Sequence, residues 1–336
     1  GNSTKLNLWS LYPGKWADNR NANLQFYVLE RIIKSDPSRA EAESPLLPSI
    51  KSLDWRELNQ VPIAQFLYDG VDVIDGMIYV AGGSDGGYSD QFSRYDPTTG
   101  QWENLPPMSI PRRHMSSAVV DGKFYAIGGR SDNSTDLNST EIYDPTTNSW
   151  TPGPSLPRAS RSSSSVSLNG KIYVLGGFGS SDHDEVLVLD PATDQWVSKS
   201  PLPIGRVGHS ATVWNGKIYV AGGNNSSGDL NSTLAYDPIL DVWKILPELN
   251  KSRLWPSLFV VGGRLYIVGG TQNSETNFLS SIEVYDPNAN EWIMAGDLPE
   301  AKYCAGSAVV NGKVYLFAGM NETAMNNKMF VGEPNR

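Results

Sequence analysis

Tyr79-Val80-Ala81-Gly82-Gly83 decides the fold, because the same five-residue shape returns five more times. It returns as Tyr125-Ala126-Ile127-Gly128-Gly129, Tyr173-Val174-Leu175-Gly176-Gly177 and Tyr219-Val220-Ala221-Gly222-Gly223. Tyr266-Ile267-Val268-Gly269-Gly270 and the degenerate Tyr315-Leu316-Phe317-Ala318-Gly319 complete the set. The last residues of successive copies are 46, 48, 46, 47 and 49 positions apart. A period of this length marks stacked supersecondary units, none of which can bury its apolar face alone. Each copy is a short apolar, β-branched run. Asp121-Gly122, Asn169-Gly170, Asn215-Gly216, Gly262-Gly263 and Asn311-Gly312 stand just before five of them. These pairs accept positive φ and predict tight hairpins into buried strands. The diglycine ends the strand where a side chain would obstruct close packing.

Downstream, Tyr95-Asp96-Pro97, Tyr143-Asp144-Pro145, Leu189-Asp190-Pro191, Tyr236-Asp237-Pro238 and Tyr285-Asp286-Pro287 each close a third strand, since proline lacks the donor that would extend the ladder. Seven residues after the first member of each triplet comes a tryptophan: Trp102, Trp150, Trp196, Trp243 and Trp292. Each supplies an apolar plate between adjacent sheets. This arrangement resembles the kelch repeat, the unit of one family of β-propellers, over about residues 52 to 332. The resemblance implies an all-β, six-bladed propeller, one blade per diglycine strand. The sixth unit has no downstream tryptophan, whereas Trp55 stands 27 residues before Gly82, close to the 26 seen from each other tryptophan to the next repeat. The N-terminal strand around Trp55 is therefore expected to complete the last blade and close the ring. The alternative is seven blades, the extra one incomplete. Residues 1–51 form an N-terminal extension, with strands at Leu6–Tyr12 and Leu24–Leu29 and a mobile loop at Ser35–Ser49; residues 52–336 form the propeller.

Composition narrows the partners. A net charge of −9 argues against nucleic acid, which requires a basic surface. No apolar run approaches a membrane span. Cys304 is the only cysteine, so no internal disulfide forms. Asn-x-Ser/Thr sequons at Asn138, Asn231, Asn250 and elsewhere would tolerate export, but Asn and Ser are also turn residues. A cytoplasmic location is slightly favoured over a secreted or periplasmic one.

A basic residue stands before most inner strands: Arg112, Arg161, Arg206, Arg253 and Lys302. In a propeller these segments surround one mouth of the central channel. Kelch repeats often carry a basic residue here in a structural role, while guanidinium forks converging on a mouth would equally suit carboxylates. Next to them lie Tyr68, His114, Ser162, Gly208, Trp255 and Cys304, and after the diglycines stand variable positions that include Arg130 and Phe178. In kelch domains that bind peptides, side chains at these two loop positions line the pocket. The resemblance thus implies a binding site made of Arg112, His114, Arg161, Arg206, Arg253, Lys302, Tyr68, Arg130, Phe178 and Trp255.

Catalysis finds little support. His114, His183 and His209 lie in different units, and no metal cluster is visible. Asp182-His183-Asp184-Glu185 reads as a solvated acidic turn. The paired His ligands of kelch copper oxidases are not signalled. Nor is the Glu-x3-Asp-x3-His motif of plant specifier proteins, since no histidine has Asp four residues before it. P-loop and HExxH motifs are missing from the sequence. The expected function is a non-catalytic recognition module that needs no cofactor or metal. It would bind a protein or peptide, with an acidic segment at the mouth, as the substrate adaptors of ubiquitin ligases do. The alternative is an exported carbohydrate-active kelch protein, such as a sialic-acid-type mutarotase, holding a small carboxylate or sugar acid on the same basic ring.

Overall fold

Each repeat folds as a four-stranded antiparallel meander, and its turns explain why. In blade 2, Ser116–Val120 runs into Lys123–Ile127, followed by Thr140–Asp144 and Ser149–Gly153. The first turn is Asp121-Gly122, with φ of 51° and 71°. Two consecutive left-handed residues give the turn twist that matches paired strands. Asp75-Gly76 makes the same turn in blade 1 with φ of 50° and 77°. The computed structural model describes residues 52–62, 70–132, 134–181, 183–272, 276–322 and 324–335. The chain divides into two units, Gly1–Ser49 and Ile50–Arg336. The expected features of residues 1–51, and Tyr68, lie outside the described residues.

Six such sheets follow one another, and no seventh occurs among the described residues. The outermost strand of blade 1 is Gln101–Leu105, of blade 3 Gln195–Ser198, of blade 4 Val242–Leu246 and of blade 5 Glu291–Asp297. Blades 4 and 5 also carry a two-residue hairpin each, at Asn224–Asn225 with Gly228–Asp229 and at Thr271–Gln272 with Asn277–Phe278. The described residues include no helix long and apolar enough to cross a membrane.

Apolar side chains collect at the seams between blades rather than in one central core. Ile78, Val80 and Tyr95 of blade 1 pack on Val310, Tyr315 and Val331 of blade 6, with Trp102 against them. Trp150 joins the seam of blades 1 and 2, Trp196 that of 2 and 3, Trp243 that of 3 and 4, and Trp292 that of 4 and 5. Each tryptophan therefore faces the preceding blade. Three of them fix the spacing by donating from the indole to a backbone carbonyl across the seam: Trp150 to Pro106 at 2.9 Å, Trp196 to Pro154 at 3.0 Å and Trp243 to Ser200 at 2.8 Å.

The sixth blade is made from both ends of this unit. Gly306–Val310, Lys313–Phe317 and Met329–Pro334 pair in order, and Leu53–Leu58 adds antiparallel to Met329–Pro334 as the outer strand. Trp55 lies opposite Gly332, in the register where Trp102 faces Tyr95 and Trp150 faces Tyr143. A side chain on Gly332 would come within 2.9 Å of the Trp55 ring. The ring thus fills the place taken elsewhere by a tyrosine. Trp55 packs at the seam of blades 5 and 6.

The first strands of the blades surround a central channel. It holds a cavity of about 440 Å³ lined by small and β-branched residues, including Ser117, Ser165, Ser167, Ala211 and Val260, together with the carboxylate of Asp72.

Candidate functional site

Three consecutive residues before the inner strands of blades 2 to 6 behave differently, and the site follows from that difference. At the first of the three stand Arg112, Ser160, Arg206, Arg253 and Lys302. Their carbonyls accept from the second glycines Gly83, Gly129, Gly177, Gly223 and Gly270 of the preceding blades. A Cβ on Gly82 would meet the Arg112 carbonyl at 2.7 Å, and one on Gly176 the Arg206 carbonyl at 2.6 Å. That close approach accounts for the diglycines.

The four cations at this position are turned into their own blades. Arg112, Arg206 and Arg253 are 0% exposed and Lys302 2%. Arg112 donates to the carbonyls of Gly128 and Ser139, both at 2.9 Å, and pairs with Glu141 at 2.8 Å. Arg253 does the same with Gly269 at 2.7 Å, Ser281 at 2.9 Å and Glu283 at 2.9 Å. Arg206 donates to Gly222 at 2.9 Å and Ser232 at 3.1 Å but has no carboxylate partner among the described residues, and burial pushes its guanidinium down to about 10. Lys302 donates to Ala318 and Asn326 at 2.8 and 2.9 Å and pairs with Glu300 at 3.1 Å. These side chains bind the second and third strands of a blade to its entering loop. The expected ring of ligand-facing cations at Arg112, Arg206, Arg253 and Lys302 is therefore corrected: their donors are already engaged inside the protein.

At the second position stand Arg113 and Arg161, then Val207, Leu254 and Tyr303. Each is bridged to the residue after a diglycine, Arg113 to Arg130, Arg161 to Phe178 and Val207 to Asn224, for example. The two loop positions expected to line a pocket are therefore adjacent. In blades 2 and 3 they gather three guanidinium groups. Arg130 and Arg161 share one carboxylate, Asp136, at 2.6 and 2.8 Å. The guanidinium of Arg113 lies 4.6 Å over the Tyr88 ring, and that of Arg161 lies 4.1 Å over Phe178. Side chains of Arg130, Arg161 and Asp136 keep 20–24% of their surface open.

The third position carries His114, Ser162, Gly208, Trp255 and Cys304, with φ of 54°, 57°, 60°, 53° and 53°. Left-handed histidine and tryptophan are strained, and such strain persists where the surroundings impose it. Here a chain of backbone hydrogen bonds imposes it, from Ser162 to His114 (2.9 Å), Gly208 to Ser162 (3.1 Å), Trp255 to Gly208 (2.7 Å) and Cys304 to Trp255 (3.3 Å). This collar runs along the channel opening from blade 2 to blade 6. Across it, the rings of His114 from blade 2 and Trp255 from blade 5 lie 5.5 Å apart. Trp255 reaches there over Gly208, whose missing Cβ would come 2.9 Å from the indole. Burial, then the charges of Arg113, Arg161 and Arg130, hold His114 down at about 3, so it is neutral. Cys304 is buried. No group of three or more His, Cys, Asp or Glu among the described residues could hold a metal ion.

The pattern of the KLHDC2/KLHL20/DRC7 kelch-repeats domain matches residues 49–202 and 197–319. The chain is a kelch-repeat protein. This kelch propeller is 38% identical over 85 residues to human Kelch-like protein 31, a stretch that is 23% of this chain and 13% of that protein. It is also 38% identical over 74 residues to Kelch-like ECH-associated protein 1A of Danio rerio, covering 20% of this chain and 12% of the relative. The chain thus matches only a small part of the length of these relatives. The solved structure of YjhT superposes with a TM-score of 0.72 at 18% identity, covering 81% of this chain and 95% of that one; that likeness shows the fold.

Proposed function

We propose that this kelch propeller is a non-catalytic recognition module that receives an acidic segment of a partner protein at the His114–Trp255 mouth. One observation carries the reading: three guanidinium groups, Arg113, Arg130 and Arg161, stand beside the opening with a single carboxylate, Asp136, between two of them. An incoming Asp or Glu would find cations already desolvated in part and held in place by Tyr88 and Phe178. The capped mouth adds aromatic surface, and aromatic residues beside arginine are the usual make-up of a binding hot spot. A relative named for association with ECH supports a protein partner over a small molecule. Where such a propeller is joined to a ligase-binding segment, this mouth would be the substrate-receiving surface of a ubiquitin-ligase adaptor.

Fluorescence anisotropy with a panel of labelled acidic peptides tests the reading. Arg161→Ala and Arg113→Ala should each weaken the best peptide by roughly 10- to 150-fold, the loss of one charge-assisted contact of about 1.5–3 kcal/mol. If both variants bind as wild type does, the mouth is not the site. Sialic acid belongs in the same panel, with anomer exchange followed by NMR. Arginine-dependent acceleration there would replace the module with an enzyme.

A further inference from the structure

The large apolar side chains left exposed among the described residues are Val197, Ile239, Leu240, Val242, Ile245 and Met294. Val197 and Met294 lie on the outer strands of blades 3 and 5, while the other four lie on the outer strand of blade 4, Val242–Leu246, or in the turn before it. Ile239 and Leu240 form the turn into that strand and are 79% and 68% exposed. Both of their amides donate to Asp237, at 3.0 and 3.2 Å, so the turn holds them outward. Trp243 packs toward blade 3. By strand alternation Ile245 is on its face, toward Val197, which looks back because its neighbour Trp196 faces blade 2. Val242 and Lys244 share the opposite face, toward Met294 of blade 5. Ile239, Leu240, Val242 and Ile245 are 79%, 68%, 50% and 61% exposed, so the turn and both faces of this one strand present apolar side chains to solvent.

The repeat itself supplies the control. Where this turn has Ile239-Leu240, the other units have Thr98-Thr99, Thr146-Thr147, Ala192-Thr193 and Asn288-Ala289. Where Val242 starts the outer strand, they have Gln101, Ser149, Gln195 and Glu291. The blade architecture therefore does not call for apolar residues at these places. Among the described residues Val242–Leu246 is also a sheet edge, paired only to Thr233–Asp237 on its inner side. Lys244, in the middle of it, is exposed and forms no ion pair among the described residues.

We propose that this edge is a second interaction surface, on which an extended segment of a partner protein adds as an antiparallel strand. The segment would carry apolar residues opposite Val242 and Ile245 and an acidic residue opposite Lys244. Main-chain hydrogen bonds along an open edge, with alternate side chains read on the flanks, are how strand addition combines affinity with selectivity. A second copy of this chain fits less well. Full two-fold overlap of the strand would set Lys244 against Lys244, and like charges directly opposite are destabilising.

The probe is a labelled alternating peptide with Ile, Glu and Val placed to face Ile245, Lys244 and Val242, titrated by fluorescence anisotropy. Saturable binding is expected, weakened roughly threefold to tenfold by Lys244→Glu and recovered when the peptide's Glu is changed to Lys. N-methylation of the peptide backbone should abolish it, and Arg161→Ala should leave it unchanged, which separates this surface from the mouth. Ile245→Asp removes an apolar contact at a side chain already 61% exposed, so the melting temperature should hold while affinity falls. No saturable binding, or binding indifferent to Lys244→Glu and to N-methylation, overturns the proposal. So does concentration-dependent dimerisation in sedimentation velocity that Ile245→Asp removes, since the occupant would then be a second copy.

Discussion

Arg253 and Arg206 carry the same charge at the same place in two blades, yet their surroundings differ by one carboxylate. Arg253 faces Glu283, which is 0% exposed; the guanidinium of Arg206 rests on carbonyls and hydroxyl groups alone. Arg253→Met should therefore leave Glu283 as an uncompensated buried charge and cost about 3–5 kcal/mol. Arg206→Met leaves only neutral acceptors and should cost less. Urea denaturation measures both, and equal losses would deny Glu283 the role given to it. The difference between these stapling arginines and the mouth arginines was legible in the sequence by counting. Arg112, Arg206, Arg253 and Lys302 each stand 16 residues before the first residue of a Gly-Gly or Ala-Gly pair, and so does Ser160, not Arg161. Matching residues by charge instead of by position puts Arg161 in the wrong column and overlooks Arg113. The aromatic contact of His114 with Trp255 had no such signal, because residues from blades 2 and 5 meet only when the ring closes.

Among the elements, the closing strand Leu53–Leu58 was legible from a single tryptophan, Trp55. The register confirms the reason: Trp55 occupies the place of the blade tryptophans, but above Gly332 rather than a tyrosine. Trp55→Ala should open a cavity at the seam of blades 5 and 6 and cost about 3 kcal/mol. Removing residues 52–60 should do more, since it also exposes the edge of Met329–Pro334. Calorimetry should show one cooperative transition at a lower temperature in both. An unchanged midpoint after the deletion would mean that closure contributes nothing to stability. The turns and third strands were legible because Asn-Gly and Asp-Pro constrain φ and remove donors locally. The exposed character of the blade 4 strand was not, because in sequence Val242-Trp243-Lys244-Ile245-Leu246 reads like any buried strand.

For the molecule as a whole, the channel makes stability depend on pH through Asp72. Its side chain opens onto the cavity and is half-buried among the surrounding strands. Burial pushes the carboxyl up to about 6 from 3.8, against the hydrogen bonds it accepts from the Val73 and Val119 amides. The fold thus prefers the protonated acid. The contribution is fully present below about 4 and is lost as pH rises through 6, a swing of about 2–3 kcal/mol. Asp72→Asn should then melt higher than wild type at pH 8 and match it at pH 4; a constant difference across that range would remove Asp72 as the cause. His114 acts in the opposite direction. Held at about 3, its neutral form supports the fold above pH 6.5, and that support fades in acid. Closure of the ring also carries a consequence in time. Leu53 waits for Pro334, and at about 5–20 residues per second a ribosome needs roughly 15–60 s to supply the intervening chain. Throughout that interval the first strand of the propeller is synthesised but unpaired, with Trp55 bare. Of the propeller's strands this one therefore spends the longest time exposed to aggregation during synthesis, until Met329–Pro334 emerges to pair with it.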